Sequence, residues 1–172
     1  MDTRKISLAA VIAALYAALV IFLAPVSFGP IQLRIADCII PLAALLGWPA
    51  VIGVSLGALI GNAYFFLGAV DVVFGAVANL LAGAIIFRFR DRLLPALTAG
   101  SVAIGVVVGG YLWIYFPPPD MGLSMPVWLV MIVSITLSSL IAVAVLGYAL
   151  LQALLSSGLR ELLESRGLKT YL

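Results

Sequence analysis

Between Ile6 and Leu155, charged residues occur only at Arg34, Asp37 and Asp71, within RFRDR (88–92), and at Asp120. Everything else in that stretch is uncharged and mostly apolar, so the chain cannot furnish the charged surface a water-soluble domain needs. The totals agree: 65% of the 172 residues are hydrophobic, 9% are charged, and the mean hydropathy is +1.29. A membrane-spanning helix takes about 20 mainly apolar residues, which leaves room for about six spans and little more. The expected fold is an all-α integral membrane bundle of about six transmembrane helices, forming a single domain over 1–172 with no separate soluble part.

Breaks in the apolar pattern place the spans at about 6–24, 35–47, 50–67, 69–87, 94–116 and 127–155. Two prolines and a glycine in PVSFGP end the first, and PPPDMGLSMP (117–126) separates the last two. The 35–47 segment is short and carries Asp37 and Pro41, so it is expected to begin below one membrane surface. Pro49 suits the first turn of the helix after Gly47. The first span is preceded by MDTRK like a signal peptide, but it exceeds the roughly 7–15 residues of such an apolar region and is read as a span.

Six spans make the loops alternate sides, and the basic residues test this independently. Arg4, Lys5, Arg88, Arg90, Arg92, Arg160, Arg166 and Lys169 then fall on one side, which the positive-inside rule makes cytoplasmic, together with both termini. Arg34 alone falls opposite. Residues 156–172 place Leu159, Leu162 and Leu163 against Arg160, Glu161 and Glu164, the pattern of a short amphipathic cytoplasmic tail.

Several chemistries are excluded. The chain has no histidine and one cysteine, Cys38, so Ser-His catalysis, HExxH zinc sites and an internal disulfide cannot be built. Cys38 is expected to be a packed residue. No carboxylate has an evident nucleophile or metal beside it, so no enzyme, metal or cofactor is expected. No basic surface suggests nucleic acid, and no GxxxxGK[ST] loop suggests ATP hydrolysis by this chain.

A charge at bilayer depth costs roughly 2.5–3.5 kcal/mol on insertion scales, so Asp37 and Asp71 need a reason. One is an ion pair between Arg34 and Asp37, three residues apart on one helical face. The other is a polar, outward-opening pocket formed by Gln32, Arg34, Asp37, Asn62, Asp71 and Asn79. Phe28, Tyr64, Phe65, Tyr111, Trp113 and Tyr115 near the same face serve either as interface anchors or, for one or two of them, as stacking partners. The first helix carries two alanine ridges, Ala9, Ala13, Ala17 beside Ala10, Ala14, Ala18, suited to close approach within the bundle or by another protein. Gly53, Gly57 and Gly61, with Gly75, Asn79 and Gly83, read as internal packing ridges.

The segment APVSFGPIQLRIADCI (24–39) resembles the QueT family, the queuosine-precursor members of the substrate-binding S components of energy-coupling factor transporters. The resemblance rests on the alanine-rich first helix, the P-[IV]-S-F-G-P-[IV]-Q-[FL]-R pattern at 25–34, the acidic Asp37 where the family usually has glutamate, and DVVFG at 71–75. It implies a six-helix S component in the plasma membrane that captures a vitamin-like compound from outside. Its partners would be a membrane T component, docked through Ala10, Ala14 and Ala18, and two ATP-binding cassette subunits, with the whole bundle reorienting during transport. The implied cargo is a 7-deazaguanine such as preQ0, preQ1 or queuine, whose adjacent N–H donors suit Asp37 or Asp71 and whose carbonyl suits Gln32, Asn62 or Arg34. An S component for another vitamin and a ligand-free membrane scaffold are the competing readings.

Overall fold

The computed structural model describes residues 2–24, 33–120, 122 and 124–172, and among these it is helical with no strand. The first helix, α1, spans Thr3–Phe22. A 3₁₀ turn, Ile35–Ile39, runs into α2, Leu42–Leu46, and then α3, Trp48–Tyr64, and α4, Ala69–Arg88, follow. A second 3₁₀ turn, Arg90–Arg92, leads into α5, Leu93–Leu112. The last rod comprises α6, Val127–Ser139, a π-helical stretch Leu140–Gly147, and α7, Tyr148–Ser156, and the short α8, Leu159–Ser165, lies beyond it.

Four of these helical segments are long and apolar enough to cross a membrane: Thr3–Phe22, Ala69–Arg88, Arg90–Leu112 and Val127–Ser156. Two further apolar helices, Ile35–Leu46 and Trp48–Tyr64, are shorter than a full crossing. The expected 35–47 helix is therefore split. Pro41 lacks an N–H, and the turn before it is held by i→i+3 bonds such as Asp37 N–H to the Arg34 carbonyl at 3.0 Å. Likewise α5 stops at Leu112, short of the expected 116, and the residues before the prolines at 117–119 continue as turns, the Tyr115 N–H donating to the Leu112 carbonyl at 3.0 Å.

Helix approach follows the small residues, since in lipid the association of helices rests on close packing. A Cβ added at Gly53 would stand 2.8 Å from the Ala9 carbonyl, one at Gly57 2.7 Å from that of Ala13, and one at Gly61 2.8 Å from Val20. The glycine ridge of α3 is thus seated on α1. Gly83 brings α4 onto Val51, and Gly109 brings α5 onto the Ile132 backbone of α6. Ser55 donates to the Ala76 carbonyl at 2.9 Å and Ser101 to the Ser139 carbonyl at 3.2 Å, fastening neighbouring helices. The π stretch lies against the Ile35–Ile39 turn, where Gly147 leaves room for the ring of Pro41. Outward-facing side chains such as Val11, Val73, Val106 and Val145 stay exposed, an apolar periphery suited to lipid.

Basic residues other than Arg34, among them Arg4, Arg90, Arg166 and Lys169, gather at the end of the bundle opposite Asp71. There the chain beyond α8 folds back: the Tyr171 N–H donates to the Leu45 carbonyl at 3.0 Å and its ring meets Phe87 edge-on at 5.0 Å. The Arg90 guanidinium lies 5.5 Å from the Tyr171 ring centroid, and Arg4 donates to the Arg166 carbonyl at 3.0 Å. Gly47, at φ +68°, makes the turn that accommodates the Tyr171 ring. The tail is thus a short helix followed by a strap.

Candidate functional site

Five of the six pocket residues read from the sequence converge inside the bundle, in two tiers. Gln32, and Phe28 among the aromatics, lie outside the described residues. The outer tier is built from Arg34, just before the 3₁₀ turn, Asn62 near the end of α3, and Asp71 in the first turn of α4. A guanidinium nitrogen of Arg34, Nη2, donates to Asn62 Oδ1. Asn62 Nδ2 in turn donates to the backbone carbonyl of Asp71 at 3.1 Å, and the Tyr111 hydroxyl of α5 donates to Asp71 Oδ1 at 2.9 Å. Asn62 is fully buried and Asp71 only 4% exposed.

The inner tier lies deeper in the bundle, with Asn79 about two helical turns beyond Asp71 along α4. Here the buried hydroxyl of Tyr16 donates to Asp37 Oδ1, and Asn79 sits beside the same hydroxyl while its Nδ2 donates to the Val54 carbonyl at 3.4 Å. Arg34 is electrostatically coupled to both tiers, through Tyr16 and Asp37 below and Asp71 and Tyr111 above.

The Arg34–Asp37 ion pair expected from helical spacing is not formed. Arg34 precedes the turn with non-helical backbone angles of φ −80° and ψ 82°, and its side-chain hydrogen bond goes to Asn62 of α3 instead. Two charged groups at this site are left part-satisfied: among the described residues, Arg34 Nε and Asp71 Oδ2 are buried without a hydrogen-bond partner. Buried polar atoms are nearly always paired, so the outer tier has a donor and an acceptor to offer a guest. Among the described residues, no three His, Cys, Asp or Glu side chains stand together as a metal would require.

Two contributors escape sequence reasoning. Tyr16 is one; it follows Ile12 and precedes Val20 by four residues, and all three are buried. A phenol deep inside an otherwise apolar ridge needs a buried acceptor, and that was the available signal. Gly75 is the other, read from the sequence only as a packing residue, because a Cβ there would collide with Asn62 Nδ2. Tyr111, grouped with the interface aromatics by sequence, is buried against Asp71, whereas Tyr64 and Trp113 are exposed. The alanine ridges separate as well. Ala9, Ala13 and Ala17 are buried against α3, but Ala10 and Ala14 face outward and Ala18 is half-buried.

A helical bundle with four segments long and apolar enough to cross a membrane and an apolar periphery is that of a multi-pass membrane protein. The chain belongs to the QueT transporter family, whose model matches residues 6–156. No curated protein and no solved structure matches it.

Proposed function

We propose that this chain is the substrate-binding S component of an energy-coupling factor importer, and that its cargo is a queuosine precursor of the 7-deazaguanine type, such as preQ0, preQ1 or queuine. The observation that carries the reading is the convergence of Arg34, Asn62 and Asp71, with Tyr111, in a bundle otherwise filled by apolar side chains. Ionisable groups at membrane depth are costly and mark substrate paths by default. Gln32 and the inner residues Asp37 and Asn79 complete the pocket in this reading.

All six apolar helical segments cross or enter the plasma membrane in this proposal, with both termini and the 88–92 turn cytoplasmic and the Arg34–Asp71 end external. The clustering of Arg4, Arg90, Arg166 and Lys169 about one end supports that orientation. Energy comes from a T component and two ATP-binding cassette subunits, docked through the outward-facing ridge of Ala10, Ala14 and Ala18. The test is native mass spectrometry of gently purified protein. A retained or added 7-deazaguanine at one equivalent is the expected result, and a protein that retains none and takes up none refutes the cargo.

A further inference from the structure

We infer that Asp71 and Arg34 act together as a donor–acceptor reader of a lactam edge, meaning a ring N–H directly beside a ring carbonyl, and that Tyr111 and Asn62 are positioning residues for it. The inference rests on the reading of the cluster as the ligand site and adds which atoms recognise which part of the ligand.

Each charged group has one atom held by a neighbour and one buried atom without a hydrogen-bond partner among the described residues. Tyr111 holds Asp71 Oδ1 at 2.9 Å while Oδ2 is buried and unpartnered; Asn62 holds Arg34 Nη2 while Nε is buried and unpartnered. A purely structural arrangement would close the two charges onto each other, since burying an ion without its partner is strongly unfavourable. Instead, among the described residues, the two form no salt bridge. The Asn62 amide links the Arg34 guanidinium to the Asp71 backbone, its Nδ2 donating at 3.1 Å to that carbonyl, in space that exists only because residue 75 is glycine. The free acceptor takes a ligand N–H and the free donor meets a ligand C=O. An uncharged edge with one donor and one acceptor satisfies both atoms, whereas a carboxylate would be repelled by Asp71 and an ammonium by Arg34. Within a 7-deazaguanine, the edge that fits is N1–H beside the ring carbonyl.

The deciding experiment is a cycle between protein and ligand, using calorimetric titration of the full chain in detergent with preQ1 and its N1-methyl derivative. Methylation is expected to weaken wild-type binding about tenfold to a hundredfold. In Asp71→Asn the amide oxygen should take the Tyr111 proton, turning the amide NH₂ toward the ligand N–H. The unmethylated ligand is then expected to lose about a hundredfold, and the methylation penalty to vanish. Adding Tyr111→Phe frees the amide to flip and should recover about tenfold of that loss, which a merely structural role for Tyr111 would not produce. An equal methylation penalty in wild type and Asp71→Asn overturns the assignment while leaving the cargo intact, whereas no binding of preQ1, preQ0 or queuine by wild type overturns the cargo and this assignment with it. Should Asp71→Asn not fold, Tyr111→Phe alone decides: about three- to tenfold weaker binding with a smaller methylation penalty is expected, and no change in either overturns it.

Discussion

The hydroxyl of Tyr16 on the first helix donates to Oδ1 of Asp37, tying α1 to the 3₁₀ turn that carries the inner end of the polar cluster. Both side chains are buried, Tyr16 completely and Asp37 at 1% exposure. Tyr16→Phe leaves the packing ring in place and strips the carboxylate of its donor. A loss of about 1–3 kcal/mol in unliganded stability is expected, read as a lower melting temperature in detergent. An unchanged melting temperature would show that Asp37 does not depend on Tyr16.

The two alanine ridges give opposite expectations one residue apart. Ala13 is 6% exposed and its backbone lies against Gly57, so Ala13→Trp should overpack the α1–α3 contact and cost about 1–3 kcal/mol or more. Ala14 faces outward. Ala14→Trp should leave melting and ligand binding intact while abolishing transport and co-purification with the energising subunits. Equal destabilisation by both substitutions would mean that the outward ridge also packs within the bundle.

Gly75 and Gly110 form a matched pair for testing the outer tier. A Cβ at Gly75 displaces the Asn62 amide that holds Arg34, so Gly75→Ala should weaken ligand binding about tenfold or more. A Cβ at Gly110 meets nothing within 4 Å. Gly110→Ala should therefore leave binding unchanged and stabilise its helix by about 0.5–1 kcal/mol, measured by titration and melting side by side.

Much of this was legible in the sequence because membranes are strict: the span pattern, the positive clusters and the costly Arg34, Asp37 and Asp71 are all consequences of burying a chain in lipid. Residue types identified Arg34, Asp37, Asn62, Asp71 and Asn79 as polar groups needing partners. The pairing among them was not legible. It depends on Arg34 standing outside the helical turn and on Pro41 tightening that turn, details of backbone geometry rather than of spacing. The strap escaped for a related reason. Tyr171 finds its place only when Gly47, Phe87 and Arg90 from three separate segments are brought together.

That strap has its own test. Removing the Tyr171 ring deletes an edge-on contact with Phe87 and the Arg90 cation–π contact, so Tyr171→Ala should cost about 1–2 kcal/mol in melting experiments. Before it, Thr170 and Arg160 both donate to Glu164, the latter at 3.1 Å, and hold its carboxyl below the ordinary glutamate range. A depressed carboxyl contributes stability at pH above its unfolded value and loses it as pH falls through the folded one. The carbon-13 NMR titration midpoint of Glu164 should thus lie below the ordinary glutamate value and return to it in Arg160→Gln/Thr170→Val. A midpoint unmoved by the double substitution would contradict those contacts.

The central claim, that the Arg34–Asn62–Asp71 cluster holds a queuosine precursor, is tested most directly by calorimetric titration of the full-length protein in detergent with preQ0, preQ1 and queuine, alongside thiamine and riboflavin. Saturable one-to-one binding of at least one 7-deazaguanine, with neither vitamin bound, is the expected result. Binding of thiamine or riboflavin in its place, or of none of the five, would contradict it.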